Sequence, residues 1–319
     1  MIPAYNPSAL LKQTLRALLD QDEGPERMQI AVVDDASPGV DVAAMVREIG
    51  SDHVEYYRNA TNLGLAGNWN RCVELARGRW VHLLHQDDLV RPGFYERLAR
   101  ADAVRPDVGA AFCRFSFIGP DGRVTHSAVP ERSEPGILDN WLERMAEGQL
   151  IQCPAMVVRR AAYEALGGFR TDLCYALDWE MWVRITAHFP IWYEPETLAC
   201  YRRHEDNESA RLKRMGMVLT DIHRAMAHVK ELVPESLHAR VGQRLLSWQA
   251  NVNLSMASSL MRVGDRRSGM SHVRRACECD PTLRRSLSVR GFRRWAIKLW
   301  LVERVPGTSR FLIAKEARP

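Results

Sequence analysis

Two short apolar runs, each closed by a pair of aspartates, constrain this chain most. Ile30-Ala-Val-Val33 runs into Asp34-Asp35, and the run at 80–84 leads through His85-Gln86 into Asp87-Asp88. Runs of this length suit buried strands. Residues 42–49 and 66–77 between them read as helices, and 53–57 as a further strand. Ser8 suits the cap of an earlier helix that carries Leu10, Leu11, Leu15, Leu18 and Leu19 at helical spacing. Pro92 suits the first turn of a helix reaching about residue 104, and 108–113 reads as another strand. Strands alternating with helices predict an α/β fold with a mostly parallel sheet covered on both faces. Ligands of such sheets bind beyond the carboxyl ends of the strands, which is where both acidic pairs fall. Adjacent carboxylates are costly near a core unless a cation offsets them. The question is which cation.

The next hundred residues are mixed. Asp121-Gly122 signals a hairpin turn. Helices are expected at 137–146, at 160–166 before Gly167-Gly168, and at 178–189, with a strand at 197–202. From about 211 only helical spacing is visible. The segment from Ala257 to Pro281 resembles one tetratricopeptide-type helical hairpin, and a single copy makes an appendage rather than a solenoid.

Charge is unevenly placed. The net +5 of the 319 residues divides into +8 over 281–319 and −3 over the remainder. Within the basic end, 285–304 sets Phe292, Trp295, Leu299 and Trp300 among Arg285, Arg290, Arg293, Arg294 and Lys298. That mixture suits a helix lying on an anionic membrane surface; packing on the protein body is the alternative. No recognisable nucleic-acid module accompanies the basic tail, so no nucleic-acid partner is expected. The seven cysteines are odd in number and sit mostly in apolar runs, which fits buried free thiols in a reducing compartment. With no secretory signal and no apolar run near ~18 residues, the expected location is the cytoplasm, peripheral at the inner face of the plasma membrane if the tail binds there. Walker, dinucleotide-binding and G-x-S-x-G signatures are all missing.

Seven pieces carry the chemistry: IPAYN (2–6), VVDDAS (32–37), NLGLAGNWNR (62–71), HQDD (85–88), GGFR (167–170), LDWEMW (177–182) and YRRH (201–204). In this order and spacing the chain resembles a family 2 glycosyltransferase of the GT-A fold, of the bacterial polysaccharide type. The resemblance implies a transferase domain over 1–210 and a helical extension with a basic tail over 211–319. It implies transfer of a sugar, with inversion, from a nucleotide-diphosphate donor to a hydroxyl of a glycan or lipid-linked acceptor. Asp88 would hold Mg²⁺ or Mn²⁺ on the diphosphate, as oxygen ligands suit hard cations. Asp87 would face the ribose or support the metal. Asp35 would bond the base, while Asp34 would shape the pocket or order the turn with Ser37. Pro3, Tyr5, Asn70 and Arg71 would also lie at the donor, with a surface ion pair as the alternative for Arg71.

Asp178 matches the general base of an inverting transfer. As an N-cap aspartate it would instead bond the Met181 N–H. Glu180 ranks below it. Trp179 and Trp182 would stack on an acceptor sugar or fill a core, and His204 would be a metal ligand or structural. His85 stands where the family often has an acid, and is either a helper or a strand-end residue. A catalytically inactive nucleotide-sugar or glycan binder of the same fold is the rival reading. The family's first strand begins several residues ahead of IPAYN, so an extension by a few apolar residues is expected to add stability.

Overall fold

The structure is a computed structural model that describes residues 1–49, 52–262 and 264–283. The tail segment 285–304 lies outside them. The chain divides into two compact units, Met1–Val233 and a second beginning at Pro234.

The first unit opens with β1 (Ile2–Ala4), α1 (Leu10–Leu19), β2 (Ile30–Asp34), α2 (Val42–Arg47), β3 (Val54–Arg58) and α3 (Gly64–Leu75). The three strands are parallel in the order β1-β2-β3, with Ile2 opposite Val32 and Ile30 opposite Val54. All of β2 is buried, as a parallel strand covered on both faces must be. In α1, Leu11, Thr14, Leu15 and Leu18 face inward at helical spacing. Ser8 Oγ accepts the Leu10 N–H at 3.3 Å, although the N-cap itself is Ala9.

Next come β4 (Trp80–His82), β5 (Leu89–Val90), α4 (Phe94–Val104), β6 (Ala110–Ile118), β7 (Val124–Ser127), β8 (Gly136–Ile137) and α5 (Trp141–Ala146). A 3-10 turn at Cys153–Ala155 leads to β9 (Met156–Arg159), α6 (Arg160–Leu166), α7 (Leu177–His188) and β10 (Ile191–Arg202). The second sheet runs β4-β9-β6-β10-β5, with β7 on β6 and β8 on β10. β6 and β10 are parallel; β9 lies antiparallel between β4 and β6. The Met1 ammonium donates to His82 O at 2.9 Å, and Leu84 N–H donates to Met1 O at 3.1 Å. This alternation is a parallel bridge, and it links β1 to the end of β4.

Strand β10 is longer than the 197–202 expected. It begins at Ile191 and passes Pro195 through register shifts between Glu194 and Ala199. A bulge tolerates a proline that a regular ladder would not. β9 was not anticipated, because four apolar residues carry too little periodicity.

The unit ends with α8 (Glu208–Arg214) and α9 (Val218–Leu232). The second unit contains α10 (Glu235–Arg262) and α11 (Arg266–Cys279), a hairpin turned at Gly264 with φ 88° and packed on Ala250, Leu254 and Ala276. Asp265 caps α11 by accepting the Ser268 N–H at 3.0 Å. Among the described residues no helix is long and apolar enough to cross a membrane. All seven cysteines are free, and Cys72, Cys113, Cys153 and Cys200 are buried.

Candidate functional site

β1 and β2 end together, with Ala4 opposite Asp34, and Gln86 ties the loop after β4 to Tyr5, the residue after β1. Arg202, at the end of β10, donates to Asp87 and Asp88 in that loop. The two acidic pairs thus flank the end of β1. Asp34 and Asp35 are buried. Asp34 Oδ1 accepts the Ser37 N–H at 3.0 Å and its hydroxyl at 2.5 Å, so the carboxylate orders the turn. Its Oδ2 accepts from Tyr56 OH at 2.8 Å and pairs with Arg58. Asp35 faces α3: Oδ1 accepts from Leu63 N and Asn59 Nδ2 at 2.8 and 2.9 Å, and Oδ2 accepts from Gly64 N at 3.0 Å. The N-cap residue Leu63 makes no side-chain bond to α3, and Asp35 satisfies free N–H groups there, sharing that of Gly64 with Asn62 Oδ1 at 3.0 Å.

The other residues expected at the donor divide. Pro3 is buried within β1 opposite Val33. Tyr5 is 47% exposed, and its backbone is bracketed by Gln86, whose Oε1 accepts the Tyr5 N–H at 2.9 Å while Nε2 donates to Tyr5 O at 3.2 Å. Asn70 uses both ends of its amide on Phe169, donating to the carbonyl at 2.9 Å and accepting the N–H at 2.6 Å. A side chain at Gly168 would place Cβ 2.3 Å from Asn70 Oδ1, which accounts for glycine there. Arg71 pairs with Glu74 at 3.0 Å on the surface. Trp69 is buried between the loops, its ring 4.9 Å from His85 and 5.0 Å from Phe169.

The second pair is the more charged. Asp88 is fully buried. Its Oδ1 accepts the Arg202 N–H at 2.8 Å. Oδ2 lies 3.3 Å from His85 Nδ1 and has no hydrogen-bond partner among the described residues. Asp87 Oδ2 lies 2.7 Å from His204 Nε2. Donor atoms of His85, Asp87 and Asp88 fall within 4.8 Å of one another. His204 reaches this group through Asp87.

Burial pushes Asp88 up to about 6, the Asp87 charge adds to it, and His85 and the Arg202 N–H oppose it. Burial disfavours the charged His85, but Cys153 and Asp88 outweigh that and hold its pKa well above the ordinary histidine value. The hydrogen bond to Asp87 likewise raises His204. Behind the pair, the Arg202 guanidinium donates to Asp87 O at 2.8 Å, Pro120 O at 3.1 Å and Gln13 Oε1 at 3.0 Å. Arg202 was expected only as part of the YRRH piece, without a role of its own; an arginine closing an apolar strand was the available signal.

A buried carboxylate oxygen without a hydrogen bond, beside a second carboxylate and an imidazole that gives up its proton on ligation, is a donor set that fits a divalent cation. Asp88, Asp87 and His85 are the residues that would hold it.

Asp178 is the second residue of α7, whose N-cap is Ala176. Its Oδ1 accepts the Trp179 N–H at 2.8 Å, not that of Met181, and Oδ2 accepts from Gln149 Nε2 at 2.5 Å. Burial raises its pKa to about 6, against the Trp179 N–H and the His85 charge. Glu180 is buried in ion pairs with Arg170 at 3.1 Å and Arg184 at 2.6 Å. Trp179 and Trp182 are core residues, and Trp179 Nε1 donates to Met145 O at 2.7 Å.

A sequence profile described as "Glycosyl transferase family 2" matches residues 1–167. The chain is 30% identical over 252 residues to the Mycobacterium tuberculosis (strain CDC 1551 / Oshkosh) protein MT1568, covering 75% of this chain and 77% of that one. It superposes on S. aureus TarS 1-349 in complex with UDP-GlcNAc with a TM-score of 0.57 and 16% identity, covering 87% of this chain and 89% of that one. The mannosyltransferase PcManGT from Pyrobaculum calidifontis, in complex with GDP-Man and Mn2+, gives 0.54 and 17% identity over 93% of this chain and 81% of that one. These likenesses identify the fold as GT-A.

Proposed function

This chain belongs to glycosyl transferase family 2, and from that premise we propose an inverting, metal-dependent transfer carried out by Asp88 and Asp178 in separate roles. Everything this reading requires lies within Met1–Val233. The donor is a nucleoside-diphosphate sugar seated beyond the ends of β1, β2 and β4. The acceptor is a hydroxyl of a glycan or lipid-linked sugar. The observation that carries the reading is Asp88 Oδ2, buried and without a hydrogen bond, grouped with Asp87 and His85.

Asp88, Asp87 and His85 would hold Mg²⁺ or Mn²⁺, which when bound supplies positive charge against the departing diphosphate. The chain's own groups do the rest. Arg202 clamps the loop that carries both carboxylates, so the pair is positioned before any ligand arrives. Asp178 takes the proton of the acceptor hydroxyl as its oxygen bonds to the anomeric carbon. The bond from that carbon to the diphosphate breaks on the opposite side, and its electron pair leaves with the diphosphate. A carboxyl with a pKa near 6 suits this task, because it is ionised at neutrality and still basic enough to accept a proton.

Calorimetry tests the reading. UDP, GDP and dTDP are titrated with and without Mn²⁺ into wild type and Asp88→Ala. Metal-dependent binding of one nucleotide, lost in the variant, is the expected result. Binding that ignores both the metal and the substitution would refute the metal role.

The reading extends to a peripheral membrane contact at 285–304, carried by its aromatic and basic sequence alone. Sedimentation with anionic vesicles at low salt checks it, and failure to sediment refutes it.

A further inference from the structure

Asp221 lies on α9, beyond the stretch matched by the family profile, and has no part in the transfer described above. It is 2% exposed. Its Oδ1 accepts the Cys174 N–H at 2.9 Å, and its Oδ2 accepts those of Tyr175 and Ala176 at 2.7 and 2.8 Å. The Cys174 thiol also reaches Oδ1, at 3.4 Å. Three successive N–H groups converging on one carboxylate form an anion-binding concavity whose anion is built into the protein. These residues lead directly into α7. Its N-cap, Ala176, makes no side-chain bond to the helix's free N–H groups, and the carboxylate from α9 stands in for the missing cap.

The grip continues along α9. Arg224 Nη1 donates to Asp172 O at 2.6 Å, and His228 Nε2 lies 3.1 Å from Asp172 Oδ2. Positions 221, 224 and 228 share one helix face. Residues 172–176 are therefore held at both ends by a single helix.

We infer that Asp221 is a positioning residue for Asp178. By binding the N–H groups of 174–176 it sets the first turn of α7, and with it the carboxylate that takes the acceptor proton. The inference rests on the reading of Asp178 as the base. That base has to lie within hydrogen-bond reach of the attacking hydroxyl. Asp178 stands two residues beyond Ala176, so any torsional change in 174–176 swings it directly. A shift of about 1 Å lowers turnover roughly 10²-fold. The side-chain bonds of Asp221 go to 174–176, so its loss leaves the nucleotide end of the site intact.

The test compares full-length wild type with Asp178→Asn and Asp221→Asn. Three readouts are taken: nucleoside diphosphate released from UDP-GlcNAc and GDP-mannose with Mn²⁺, calorimetric affinity for UDP and GDP, and hydrogen exchange at 174–176. Asn keeps the shape of Asp221 but sets an amide N–H group against the N–H groups it should accept. Asp221→Asn is expected to lose about 10²-fold in turnover, to keep nucleotide affinity within about twofold, and to exchange faster at 174–176. Full turnover in Asp221→Asn beside an inactive Asp178→Asn overturns the positioning role. Full turnover in Asp178→Asn overturns the base reading instead. If wild type turns over neither sugar, exchange decides, and unchanged protection at 174–176 overturns the inference. If Asp221→Asn fails to fold, Arg224→Ala and His228→Ala replace it. They loosen the other end of the same segment and must lower turnover at constant nucleotide affinity; unchanged turnover in both overturns the inference.

Discussion

His204 and Asp87 meet across 117 positions of sequence, with Nε2 of the histidine 2.7 Å from Oδ2 of the aspartate. The contact orients one of two adjacent carboxylates, and that carboxylate favours the protonated imidazole. Asp88, the other, keeps an oxygen without a hydrogen bond. In the proposed cation site His204 would act from behind, through Asp87. Asp88→Ala is expected to abolish Mn²⁺-dependent nucleotide binding. His204→Ala should weaken Mn²⁺ affinity about 10- to 100-fold without abolishing it. Equal losses in the two variants would make His204 a direct ligand.

Asp178 gives two linked predictions. As the base it must be ionised, so kcat/KM should fall as pH drops through about 6. Its folded pKa lies above that of an ordinary aspartate, so the folded state binds the proton more tightly than the unfolded one. Ionisation therefore lowers stability as pH rises through that window, and the penalty is complete above it. Asp178→Asn should be inactive yet more stable at pH 7, by about 1–2 kcal/mol, with the gain vanishing below about pH 4. Denaturant unfolding at both pH values checks the sign.

Gly168 and Asn70 predict a packing defect. A Cβ at 168 would stand 2.3 Å from Asn70 Oδ1, and the amide cannot move away without losing both bonds to Phe169. Gly168→Ala should cost about 1–3 kcal/mol. Asn70→Ala, which removes the obstacle, should make the second substitution nearly neutral in a double-mutant cycle.

The start of β1 faces a cavity. The Met1 ammonium is buried, which lowers its pKa. Ile30 has no β1 residue opposite it, as pairing begins at Ile2 with Val32. A space of about 310 Å³ lies there, lined by Met28, Ile30, Trp80, Val81, Tyr95 and Leu98 among others. Two or three β-branched residues fused ahead of Met1 should enter it as strand, move the ammonium into water, and raise Tm by at least about 3 °C. An unchanged or lower Tm would show that the space does not accept a strand.

The strand–helix alternation through α3, the placement of both acidic pairs after short buried strands and the family were legible in the chain itself. Apolar spacing and short motifs are local, and local patterns survive without a structure. Asp34 ordering its turn with Ser37 was legible for the same reason, the two being three residues apart. The roles of single atoms were not. Asp35 capping α3, Asn70 holding Phe169, Arg202 clamping Asp87 and Asp221 binding 174–176 each join residues separated by 28 to 115 positions. A hydrogen bond at such a separation leaves no period in the sequence. Only packing decides which buried carboxylate is already satisfied and which has an oxygen left for a ligand.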